Sequence, residues 1–89
     1  MTQKEILDEL KALIVERLKF DPRRAAGMTL ETTLPKGVEG SLGLDSLDFI
    51  ELSVAMEERF GIVIDETENL ADEFLSLDTV SRFVLSKVK

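Results

Sequence analysis

Both prolines (Pro22, Pro35) and four of the five glycines (Gly27, Gly37, Gly40, Gly43) lie between residues 20 and 44. The strongest helix breakers are thus gathered into one stretch, and outside it only Gly61 interrupts the chain. The flanks carry helical patterns. Ile6, Leu10, Leu13, Ile14 and Leu18 recur at helical spacing behind Thr2 and Glu5, which have capping-box spacing. Asp21-Pro22 stops that pattern, because proline disfavours helix in the residue before it. A first helix is therefore predicted over 3–19. A second is predicted over 46–60, with Asp45 as N-cap, Asp48 in the first turn and Gly61 just past the end. Ile62-Val63-Ile64 has strand propensity but no second strand to pair with, so it reads as an extended connector burying Ile62 or Ile64. A short helix over 68–74 and a last helix over 79–87 follow, the latter capped by Asp78, with Val80, Phe83, Val84 and Val88 as its inner stripe. The loop over 20–44 is long for so small a domain and is expected to fold over the core through Phe20, Met28, Leu30, Leu34, Val38 and Leu42, with room for one helical turn. The predicted fold class is all-α. It is a small four-helix bundle of three main helices and one short one, forming a single domain over 1–89.

Composition narrows the chemistry. The 89 residues include no Cys, His, Trp or Tyr. A disulfide framework, a thiolate nucleophile, a Cys- or His-based metal site and a serine–histidine pair are all excluded. Calcium-loop spacing is missing too. Nucleic acid is an unsuitable partner for a chain with a formal charge of −7, since phosphate contacts need cations. The longest apolar run is Ala12-Leu13-Ile14-Val15, well short of the ~18 residues of a membrane span, and the polar N-terminus does not look like a signal peptide. A cytoplasmic, monomeric, non-catalytic domain is expected.

The charge is concentrated. Residues 1–44 carry seven acids and seven bases, whereas residues 45–89 carry eleven acids and four bases. The whole of the −7 lies in the second half. Solubility accounts for such charge in one reading, and a docking surface for basic partners in another.

The second helix shows two apolar stripes. Phe49, Leu52, Met56 and Phe60 form an ordinary core face. Leu47, Ile50 and Val54 point elsewhere, and Asp48, Glu51 and Glu58 frame them. A short apolar stripe rimmed by one sign of charge suits a partner interface, or else marks a second core contact.

Gly43-Leu44-Asp45-Ser46-Leu47-Asp48, at the head of this acidic helix, resembles the attachment site of the acyl carrier protein family, whose signature is Gly-x-Asp-Ser-Leu. The resemblance covers nearly the whole chain and implies an acyl-carrier-like bundle. It implies that Ser46 carries 4′-phosphopantetheine, derived from coenzyme A, through a phosphodiester. The arm's thiol would hold an acyl intermediate as a thioester, in fatty-acid or specialised lipid or polyketide biosynthesis. A helix N-terminus suits a phosphodiester, and Gly43 allows an enzyme to approach the serine closely. The missing cysteines leave no protein thiol to compete with the arm.

The resemblance also assigns partners. Asp45 matches the family's acid that helps the phosphopantetheinyl transferase bind magnesium. Leu47, Asp48, Glu51, Val54 and Glu58 fall on the family's recognition helix. There they would meet basic and apolar patches on transferases, synthases or ligases. Phe49, Leu52, Met56, Phe60, Ile64 and Leu70 either line an acyl pocket or form a filled core. The approach to the motif, Leu34 through Leu42, departs from the usual Phe-x-x-Asp-Leu, and Phe49 replaces a small or polar residue. Arg59 interrupts the acidic helix, and Arg23-Arg24 give the loop a basic spot. These departures favour a specialised discrete carrier over the housekeeping fatty-acid one. The alternatives are an aminoacyl or peptidyl carrier, or an acidic helical interaction module in which Ser46 is a plain capping serine.

Overall fold

The computed structural model describes residues 2–64 and 74–88. Four helices occur in these residues: α1 (Gln3–Leu18), α2 (Pro22–Ala26), α3 (Ser46–Phe60) and α4 (Leu77–Lys87). No strand occurs among them, only two isolated bridges, so the chain is all-α. The predicted short helix over 68–74 lies outside the described residues except for Phe74, which stands in a turn and is buried.

α1 is the central element and packs against α2, α3 and α4. Its apolar stripe is the reason. Ile6, Leu10 and Ile14 are fully buried and Leu13 nearly so, and they meet Leu52 and Met56 of α3 and Val80 and Val84 of α4 in one core. Complete burial of a leucine such as Leu52 is worth about 1.5–3 kcal/mol, and only the helical period brings so many to one side. The ends are set locally. Thr2 accepts from the Glu5 amide at 3.2 Å while the Glu5 carboxylate accepts from the Thr2 amide at 2.9 Å, so the predicted box is formed. α1 stops at Lys19, which takes the left-handed conformation (φ 61°). The chain restarts at once as α2, with Asp21 accepting from the Arg23 amide at 2.9 Å and Pro22 in the first turn. The helical turn allowed for in the loop is this element.

Three expectations need correction. The last helix begins at Leu77, and its cap is Ser76 and not Asp78. Ser76 and Thr79 satisfy each other's amides at 3.3 and 3.0 Å. The Asp78 carboxylate is turned aside to accept from Gln3 of α1 at 2.8 Å and Arg82 at 3.0 Å. Val38 does not fold over the core but is exposed. It stands in a turn in which its amide donates to the Pro35 carbonyl and its carbonyl accepts from Ser41. Leu30 is only half-buried and faces a groove shared with Leu75 and Arg82, whereas Met28 and Leu34 enter the core as expected. The connector alternates: Ile62 is buried, Val63 exposed and Ile64 half-buried.

Candidate functional site

The site is built on the head of α3. Asp45 is its N-cap and accepts from the Asp48 amide at 2.9 Å, while the Asp48 carboxylate accepts from the Asp45 amide at 3.2 Å. This reciprocal pair uses acids where the usual box has a hydroxyl and a Glu. Ser46 is therefore the first helical residue, and the cap is its neighbour. Its hydroxyl is exposed and makes no hydrogen bond. The other five serines are all engaged with backbone. Ser41, Ser53, Ser81 and Ser86 donate to carbonyls at 2.6–2.9 Å, and Ser76 accepts from an amide at 3.3 Å. Capping falls to Asp45 as expected, which counts against the alternative of a plain capping serine and leaves Ser46 with an unspent hydroxyl.

The strand of loop leading to Ser46 is held by backbone bonds. Leu44 donates to the Leu34 carbonyl at 2.9 Å and accepts from the Lys36 amide at 2.9 Å, and Leu42 donates to Thr33 at 3.0 Å. Leu34 in turn donates to Leu75 at 3.0 Å, so the approaches to α3 and α4 share one anchor. Leu34 and Leu44 are buried beneath. Ser41 closes the turn, donating to Pro35 and accepting from the Gly43 amide at 3.1 Å. Gly43 has φ 74°, a left-handed conformation, and a side chain there would meet nothing within 4 Å. Glycine there lets the chain take the left-handed bend that leads into the cap. The departure of residues 34–42 from the usual pattern therefore has a structural content that the residues alone did not show. Ser41 two before Gly43 was the available signal.

The two stripes of α3 separate as expected. Leu52 and Met56 are fully buried, and Phe49 and Phe60 are half-buried against the core. Phe49 meets Phe74 edge-on at 5.9 Å, and Phe74 meets Phe83 at 6.2 Å. Ile64 packs on the same core, and Leu70 lies outside the described residues. On the other side Leu47 is 73% exposed, Ile50 58% and Val54 43%. Asp45, Glu51 and Glu58 are exposed and Asp48 is half-exposed.

Two arginines, however, tie this helix to α1. Arg17 of α1 pairs with Glu51 at 3.3 Å and with Glu58, and the bond to Glu58 raises its pKa above the ordinary arginine value. Arg59 does not break into the acidic stripe, because it turns to Glu9 of α1. Glu57 is likewise drawn away, accepting from the Ile64 amide at 3.0 Å. Arg17 was not singled out from sequence. No local spacing links it to acids 34 and 41 residues on.

An anion on Ser46 fits this site. Helix geometry leaves the amides of Ser46 and Leu47 without intrahelical acceptors, and Ser46 is the first residue at the positive end of α3. The Asp45 and Asp48 amides are already satisfied by carboxylates. Non-covalent phosphate would therefore be poorly held between two acids, and a covalent bond removes that difficulty.

Comparison with known proteins identifies the class. Residues 8–84 match the phosphopantetheine attachment site family. The chain is 35% identical to the acyl carrier protein of Thermosynechococcus vestitus, over 99% of this chain and 98% of that one. It is 36% identical to that of Treponema pallidum over 94% and 96%, and 31% identical to mitochondrial acyl carrier protein 2 of Arabidopsis thaliana over 97% and 61%. The chain belongs to the acyl carrier protein family. Its prosthetic group is covalent 4′-phosphopantetheine, and it is a non-catalytic carrier. Among the described residues no helix is long and apolar enough to cross a membrane.

Proposed function

We propose that Ser46 carries the phosphopantetheine arm and that the protein shuttles acyl intermediates, held as thioesters on the arm's thiol, between enzymes of fatty-acid or specialised lipid or polyketide synthesis. One observation carries the assignment to Ser46. It is the one serine of six whose hydroxyl is exposed and unbonded, and it opens the helix that the Asp45–Asp48 box fixes. The bound group supplies a thiol that no side chain of this chain supplies. The chain's own residues present the hydroxyl, hold the helix end and offer a surface to partners. Asp45 would lend its carboxylate to the magnesium of the phosphopantetheinyl transferase. The face bearing Leu47, Val54, Asp48, Glu51 and Glu58 would meet basic and apolar patches on that transferase and on acyl-handling enzymes, with apolar contact for holding and charge for steering.

The experiment is the intact mass of the apo protein after incubation with coenzyme A, magnesium and a broad-specificity phosphopantetheinyl transferase. One phosphopantetheine is added to the wild type and none to Ser46→Ala. Addition to Ser46→Ala moves the attachment elsewhere, and no addition to the wild type with several transferases leaves an acidic interaction module. The acyl group found on protein purified from its native host then decides between the pathways.

A further inference from the structure

We propose that Arg17 acts as an internal competitor for the partner-binding acids, so that a basic partner must displace its guanidinium from Glu51 and Glu58 to dock on α3. The proposal rests on the carrier reading and names a control on its partner surface.

The four carboxylates around the exposed Leu47–Val54 stripe are all engaged within the chain. Asp45 and Asp48 hold each other's amides. Glu51 and Glu58 lie two turns apart on one side of α3 and flank Val54, and both accept from Arg17. A guanidinium is suited to this, because its planar fork can donate to two carboxylates at once where an ammonium is a point charge. Arg17 thus places one positive charge between the two acids that a cationic partner would seek.

The bridge is displaceable. The side chains of Arg17, Glu51 and Glu58 are 34%, 48% and 56% exposed, so all three meet water and their pairing is weak. Nor is it needed to dock the helices. Leu13 and Ile14 of α1 and Leu52 and Met56 of α3 are buried together, and Arg59 with Glu9 makes a second tie along the same seam. Arg17 sits in a shallow groove of that seam, with Leu13, Ala55 and Glu58. A partner's arginine or lysine laid along α3 would take over Glu51 and Glu58, and Arg17 would turn to solvent or to Glu16, which lines the same groove.

The test is the steady-state kinetics of phosphopantetheine transfer with apo protein as the varied substrate, at low ionic strength. Arg17→Gln should lower KM about two- to fivefold, with kcat unchanged, because a competing cation is removed and nothing at Ser46 is altered. The gain should shrink at about 0.5 M NaCl, where screening confines exposed charges to their nearest neighbours. In a Glu51→Gln/Glu58→Gln background the same change should leave KM where it was. An unchanged or raised KM in Arg17→Gln overturns the proposal, the latter by making Arg17 a partner contact. Should Arg17→Gln fail to fold, Arg17→Met serves, since it keeps a long unbranched side chain along the seam without the charge, and its KM must likewise fall. If the wild type itself gains no phosphopantetheine, the carrier reading fails and this inference with it. Normal modification with an unmoved KM overturns the inference alone.

Discussion

Asp45 performs two tasks that one substitution separates. As N-cap of α3 it accepts from the Asp48 amide, and asparagine caps as well as aspartate. As a carboxylate beside Ser46 it is the group proposed to help hold the transferase's magnesium. Asp45→Asn should therefore change stability by less than about 0.5 kcal/mol in urea unfolding. The same variant should slow phosphopantetheine transfer about tenfold or more, as loss of a metal-supporting group commonly does. Equal transfer rates for both proteins would confine Asp45 to capping. Gly43 gives a second contrast. Its φ of 74° costs a residue with a side chain about 1–2 kcal/mol, although a side chain there meets nothing. Gly43→Ala should destabilise by that amount through backbone strain alone, and Gly43→Asn by less, because asparagine tolerates the left-handed region. At this scale the site was largely legible in the sequence, because Gly43, Asp45, Ser46 and Asp48 act on neighbours within five residues. What was not legible was how the approach to Ser46 is held. Leu44, just before the cap, is pinned to Leu34 by a backbone hydrogen bond that no local pattern announces.

Elements were readable where their ends are closed by nearby side chains. The box at Thr2–Glu5 and the cap at Asp45 are of that kind. The start of α4 was misplaced for a reason that local pattern cannot supply: Asp78 is recruited by Gln3, 75 residues away, and Ser76 takes the end. Ser76→Ala should cost about 1 kcal/mol and loosen the first turn of α4, seen as lower amide protection at Val80. The end of α1 is less well matched to its sequence. Lys19 is the one described non-glycine residue with positive φ, at a position that glycine usually occupies. Lys19→Gly should raise stability by about 0.5–1 kcal/mol, the relief of left-handed strain being partly offset by backbone entropy. A loss of stability instead would show that the lysine side chain matters more at that end than its backbone. The Arg17 bridge belongs to the same scale and was invisible for the same reason as the Gln3–Asp78 contact. It joins faces of α1 and α3 that only packing brings together.

The −7 acts on the molecule as a whole. The principal extents are 30 × 25 × 20 Å. At 0.01 M salt the screening length is about 30 Å, so the described carboxylates of the second half feel one another across the full body. At 0.1 M it is about 10 Å, and only near neighbours count. Repulsion at long range is thus removed by salt that leaves the closest pairs, such as Arg17 with Glu51 at 3.3 Å, partly intact. Melting temperature at pH 7 should therefore rise between about 0.01 and 0.1 M NaCl. A fall would mean that the pairs joining α1 to α3 outweigh the repulsion. Acid works differently, because it also reaches Glu5. Its bond from the Thr2 amide, and then that with the Thr2 hydroxyl, hold its carboxyl below the ordinary 4.5. The folded chain then binds that proton less readily than the unfolded one, so this contribution is complete above pH 4.5 and is lost as pH falls through the lowered folded value. Glu5→Gln keeps an acceptor for the Thr2 amide but does not titrate. Its melting temperature should therefore fall less steeply than the wild type's once the pH drops below 4.5. Parallel curves in that range would show that the box draws no stability from the charge of Glu5.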